Sequence, residues 1–207
     1  RLYRMFIYMK IFVVPVVLLM IVCFTGCSGS SGSEESEITK ETPEKETVIT
    51  SPENSVILST AKLEQENFMY SPEVDSTYLY WTNNELVILN GSTKCNIFAL
   101  NVLFRSGYKT PQSNALSVDL YDTSNFKDIM PVIGINDFSK AEKGDLIVWN
   151  YHVIIFESIV KINDENYALA WWAGTRQPNN DENIKNNVCF GKYKLDGDYI
   201  VRRPLRK

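Results

Sequence analysis

The chain has 207 residues, 44% hydrophobic and 22% charged, with a formal net charge of -4. That is enough for one or two globular domains, and the mild acidity excludes the basic footprint of a nucleic-acid binder. A single histidine, and no Cys/His/Asp cluster at ligand spacing, argue against a metal site, so no metal or cofactor is expected.

The first element in chain order is a leader. Residues 11–24, "IFVVPVVLLMIVCF", are uncharged and apolar, follow Lys10, and end in "FTGC" before a switch to Ser and Gly. This is the layout of a secretory signal, too short for a comfortable membrane span. Thr25 and Gly26 ahead of Cys27 resemble the lipobox of bacterial lipoproteins, which implies a signal segment over residues 1–27 that is cleaved ahead of a lipidated Cys27. Met9 with Lys10 makes the most compact start, and an uncleaved anchor or an unlipidated secreted protein is the alternative. Several acyl chains, at about 0.8 kcal/mol per buried CH2, would hold the protein on a membrane surface. Removing residues 1–26 leaves 18 basic and 25 acidic residues, a net charge of -7.

Residues 28–55 contain seven Glu and two Lys among Ser, Thr, Gly and Pro, with no aromatic residue. Such a segment buries too little apolar surface to offset its ordering entropy and reads as a tether reaching on the order of 30 Å. From residue 56 to 207 the composition turns globular, enough for one well-buried domain.

Within that domain, residues 55–68 read as a helix from a Ser start, and "ELVILN" (85–90) as a short apolar run. Ser92 and Thr93 offer caps to a helix over 94–105, with Gly107 as its stop. The second half is β-rich: "DLIVW", "HVIIFESIV" and "YALAWWAG" read as strands, with "NDEN" (163–166) between the last two. Asp196-Gly197 suits the two-residue turn of a further hairpin. Helices followed by an antiparallel sheet define an α+β class.

Two residues carry chemistry. Cys95 opens the predicted helix, where free N–H groups and the macrodipole favour a thiolate. His152, the only imidazole, is the only side chain with an unperturbed pKa near neutrality. "KCNIFALNVLFRSGY" followed by "AEKGDLIVWNYHVIIFES" resembles the papain-like cell-wall hydrolases of the CHAP and NlpC types. The matching residues are Cys95, Gly144, Asp145, Leu146, Trp149, His152 and Val153, within a similarity spanning residues 90–175. The resemblance implies a papain-like fold with N-terminal helices packed on an antiparallel sheet. It also implies a Cys95 nucleophile, a His152 base, and a third polar residue on the following strand that orients the imidazole. Here that strand is apolar, and Thr175 is the first polar residue within reach, with Gln177 just beyond. The Cys95 N–H would be one oxyanion donor, with a second from Tyr80 or Trp81.

The implied activity is cleavage of an amide bond in peptidoglycan by a monomeric enzyme, anchored through Cys27 on the extracytoplasmic side of a bacterial membrane. Two other readings stay open. One is a non-catalytic envelope lipoprotein that binds through a degenerate papain-like domain; the other is an unrelated α+β lipoprotein stapled by a Cys95–Cys189 disulfide. Trp149, Trp171 and Trp172 are candidates for a substrate groove, although alternation sends Trp171 and Trp172 to opposite faces. Glu157 points away from His152 in an ideal pleat, which leaves it on the surface, and Arg202, Arg203, Arg206 and Lys207 read as a solvated end.

Overall fold

A computed structural model of the chain describes residues 55–89, 93–174 and 183–207. All lie in one of the chain's two compact units, Glu44–Lys207. Cys27, the apolar leader and the tether fall outside the described residues. The architecture is α+β. Helices α1 (Ser55–Glu64), α2 (Cys95–Arg105) and α3 (Ser117–Tyr121) accompany a ribbon of β1 (Ser76–Leu79) and β2 (Glu85–Ile88). The main sheet comprises β3 (Val132–Ile135), β4 (Leu146–Trp149), β5 (His152–Ile162), β6 (Glu165–Ala173), β7 (Asn183–Lys185), β8 (Val188–Lys194) and β9 (Tyr199–Arg202). Its order is β3-β9-β4-β5-β6-β8-β7, with every pairing antiparallel. Among the described residues no helix is long and apolar enough to cross a membrane.

Helix α2 is the centre of the domain. All its residues from Cys95 to Leu103 are buried, so it is covered on every side, as its nearly continuous apolar sequence requires. Its few polar groups are satisfied internally. Asn101 donates to the Tyr70 hydroxyl and the Tyr78 carbonyl and accepts the Tyr80 N–H, while Asn96 donates to the Ala115 carbonyl. At its C-terminus Gly107 adopts φ +81° and the Tyr108 N–H returns to the Leu103 carbonyl, the left-handed stop expected of this glycine. Helix α1 ends earlier than its composition suggests. Asn67 accepts the Met69 N–H and starts a separate 3-10 turn over Phe68–Tyr70.

The β5–β6 hairpin turns on Asn163 and Asp164, both with positive φ (49° and 64°), as a two-residue hairpin loop demands. Period-two alternation then splits the sheet's side chains between two cores. Val148, Val153, Ile155, Trp171 and Ile200 pack on the α2 side, and Ile147, Trp149, Ile154, Trp172, Cys189, Tyr193 and Val201 on the other. Trp171 and Trp172 therefore do face opposite ways.

The sheet is strongly curved. Two strands separate β4 from β8, so a flat sheet would hold them about 14 Å apart. Yet the Trp149 and Tyr193 ring centroids are 5.1 Å apart, and the Trp149 indole N–H reaches the Asp196 carbonyl at 2.8 Å. This curvature overturns the hairpin expected at Asp196-Gly197. The turn forms, with Gly197 at φ +67°, but β8 and β9 do not pair; β9 crosses to lie between β3 and β4.

The basic C-terminal segment is corrected in its first half, whereas Arg206 and Lys207 are exposed as expected. Arg202 is fully buried and donates to the carbonyls of Leu120, Asp122, Asn125 and Met130, tying the α3 region to the sheet. Arg203 forks onto the buried Asp145 carboxylate at 3.2 and 3.0 Å. Burial pushes the Asp145 carboxyl pKa up, and Arg203 and the Glu142 N–H oppose that shift. Both positions belong to strand β9 and its exit, where sheet geometry rather than charge decides exposure.

Candidate functional site at the N-terminus of helix α2

Cys95 is the first residue of α2 and 1% exposed. The helix N-cap is Lys94, whose side chain makes no cap bond because its buried ammonium donates instead to the carbonyls of Met69, Ser71 and Val74. Thr93, expected as a cap, places its hydroxyl 3.9 Å from the Cys95 sulfur. The backbone groups of Val153, Asn96 and Cys95 also lie where they favour the charged form of the sulfur. Burial nevertheless dominates and pushes the thiol pKa above its ordinary value. The helix N-terminus is present, but desolvation outweighs it, and the thiol is protonated at neutral pH.

Three segments converge on that sulfur: the entry to α2, the start of β5, and the end of β6. At the end of β6, Gly174 has φ +107°, and a Cβ there would lie 3.3 Å from the Thr93 Cβ, so the close approach suits glycine. Thr175 and Gln177, the candidate orienters, lie outside the described residues.

His152 opens β5, directly before Val153, and is 3% exposed. Alternation sends Val153 to the α2 side and His152 to the other. The imidazole stacks on Tyr193 (centroids 5.1 Å, planes 19° apart) and tilts against Trp149 at 6.4 Å. Its Nε2 is buried with no hydrogen-bond partner. Burial lowers its pKa to about 4, so the ring is neutral at pH 7. The fold thus brings the His152 backbone to Cys95, but no hydrogen bond joins thiol and imidazole among the described residues.

The tryptophans expected in a groove are core residues instead. Trp149, Trp171 and Trp172 are 2%, 7% and 0% exposed. Trp171 stacks on Phe190 at 4.4 Å, and its N–H donates to Glu157 at 3.3 Å on the α2 side; Trp172 meets the Tyr193 ring edge-on at 5.2 Å. Glu157 does point away from His152, but it is half-buried because β5 carries a bulge there. Tyr80 is not an oxyanion donor to Cys95 either. Its N–H is taken by Asn101, six residues or about 9 Å further along α2, and the Trp81 indole donates to Ser113.

Tyr193, stacked on the imidazole, carried no local signal in the sequence; only the curl of the sheet brings β8 back to β5. Burial raises its hydroxyl pKa, as do the negative charges that Tyr151, Cys95 and Asp196 can carry. Cys95 and Cys189 lie in different cores and form no disulfide with each other. Among the described residues no three His, Cys, Asp or Glu side chains converge as a metal site would require. Comparison with models of known families, with curated proteins and with solved structures yields no match to this chain.

Proposed function

We propose that the chain is a lipid-anchored cell-envelope cysteine hydrolase of the papain-like CHAP/NlpC type, cleaving an amide bond in peptidoglycan. The observation that carries this reading is the setting of Cys95. A helix-opening thiol is ringed by the Cys95, Asn96 and Val153 backbone groups and lies beside the strand residue that bears the only histidine. Those N–H groups are the donors an acyl-transfer oxyanion needs. Cys27 supplies the membrane anchor and residues 28–55 the reach to the polymer; the enzyme acts as a monomer.

In the resting state the thiol and the imidazole are both neutral. Catalysis requires the start of β5 to rearrange so that the His152 ring leaves Tyr193 and turns to the α2 side, where its unpartnered Nε2 accepts the thiol proton. The thiolate attacks the amide carbon. The imidazolium then gives its proton to the leaving nitrogen as the C–N bond breaks, leaving a thioester on Cys95. Water, deprotonated by His152, attacks the thioester, releases a carboxylate and restores the thiol.

The burial of both groups, at 1% and 3% exposure, favours a second reading: a non-catalytic binding domain on the same scaffold. Purified peptidoglycan incubated with the full chain separates the two. The hydrolase releases soluble fragments, and Cys95→Ala and His152→Ala each abolish the release because the pair acts as a unit. Retention on the polymer without fragments would establish the binding reading. Fragment release unchanged in both variants would refute the assigned mechanism.

A further inference from the structure

At the opposite end of α2 from Cys95 lies a cleft of about 490 Å³, within the range of small-molecule sites. Phe104, in its wall, is nine residues and roughly 14 Å of helix away from the thiol. Trp81, Phe104 and Ile129 supply apolar surface, and Lys109, Lys207 and Gln112 supply the polar part. None of the ten lining residues is acidic.

The two lysines are held in place. The Lys109 N–H donates to the Leu205 carbonyl and the Lys207 N–H to the Gly107 carbonyl, flanking a backbone bridge between Tyr108 and Arg206. The Lys207 ammonium sits 4.0 Å from the centre of the Phe104 ring. Among the described residues neither lysine has a carboxylate partner. They share this with exposed Lys62, Lys127 and Lys140; what sets the two apart is that both line one cleft with an apolar wall. The Trp81 indole N–H is already spent on Ser113, so this residue offers the cleft an apolar surface rather than a donor.

We propose that this cleft is a ligand site for a small organic carboxylate with an adjoining apolar or aromatic body, such as the free C-terminus of a short peptide. The ammonium groups take the carboxylate, and the body packs on Trp81, Phe104 and Ile129. A carboxylate fits better than a phosphate monoester because no arginine lines the cleft to fork onto a dianion. The inference does not depend on chemistry at Cys95.

The test uses the full chain labelled with 5-fluorotryptophan, whose four tryptophans give separate 19F signals, with Trp81→Phe assigning the relevant one. The probe is N-acetyl-Phe-Ala with a free carboxylate, titrated against its C-terminal amide and against phenyl phosphate. The acid should shift the Trp81 signal with a Kd on the order of 1 mM, and Lys109→Gln/Lys207→Gln should weaken it roughly tenfold, as expected when a charge-assisted contact is lost. A silent Trp81 signal, equal binding of acid and amide, or unchanged affinity in the double variant would overturn the proposal. Tighter binding of phenyl phosphate would overturn the carboxylate assignment.

Discussion

The two faces of the curved sheet are both dry, yet they treat their polar atoms differently. On the α2 side, Asn96, Asn101, Lys94 and the Cys95 sulfur have partners, and among the described residues only the small Thr77 and Ser106 hydroxyls there lack one. On the opposite face an aromatic cluster of Trp149, Trp172, Tyr193 and Tyr199 encloses an imidazole whose Nε2 has none. A buried group without a partner costs about 1 to 3 kcal/mol, and packing alone must offset it there. The α2 face is specified by hydrogen bonds, whereas the aromatic face depends on shape.

Substitutions on each face turn that contrast into measurements. The largest effect is expected from Trp172→Ala, which empties the aromatic face and should lower unfolding stability by about 3 to 5 kcal/mol in urea titrations. A loss under about 1 kcal/mol would mean that the cluster is not what closes the sheet.

Acid should strike the same face. The folded pKa of His152, about 4, lies below the ordinary 6.5, so the unfolded chain binds the proton first. Stability from this group is intact above pH 6.5 and falls as pH drops from 6.5 towards 4, by about 3 kcal/mol in all. His152→Phe should keep the ring stack and remove this part of the acid loss, while the loss from carboxylates held below their ordinary pKa by hydrogen bonds, such as Asp122 and Asp137, stays common to both proteins. Parallel pH–stability curves for the two would contradict the buried neutral imidazole.

Cys95→Ala should have the smallest effect, about 1 kcal/mol, because it removes one small buried sulfur and leaves the packing of α2 in place. In the wild type, iodoacetamide should label Cys95 slowly below pH 8, since burial holds the thiol protonated. Rapid labelling at pH 6 would show an activated thiolate instead, and the resting geometry would then not be the one that reacts.

Local signals were legible wherever one segment carries its own instruction. The left-handed Asn163-Asp164 turn, the Gly107 stop and the alternation that parts Trp171 from Trp172 each follow from a few adjacent residues. Asp196-Gly197 shows the boundary: the turn forms as its residues dictate, but the strand after it finds β3 and β4 rather than β8. Arg202 and Arg203 mislead for a related reason. Their charge suggests solvent, and only the carbonyls of the α3 region and the Asp145 carboxylate, distant in sequence, make burial tolerable.

By itself the sequence determined the α+β class, the helix that begins at Cys95, the strand that begins at His152, and the chemical identity of the thiol and imidazole. Tertiary structure alone decided that desolvation outweighs the helix N-terminus at Cys95, that the imidazole leans on Tyr193, and that a cationic cleft opens at the far end of α2. Capping, periodicity and turn preference act over a few residues, whereas burial, sheet curvature and the meeting of distant charges exist only once the chain has closed on itself.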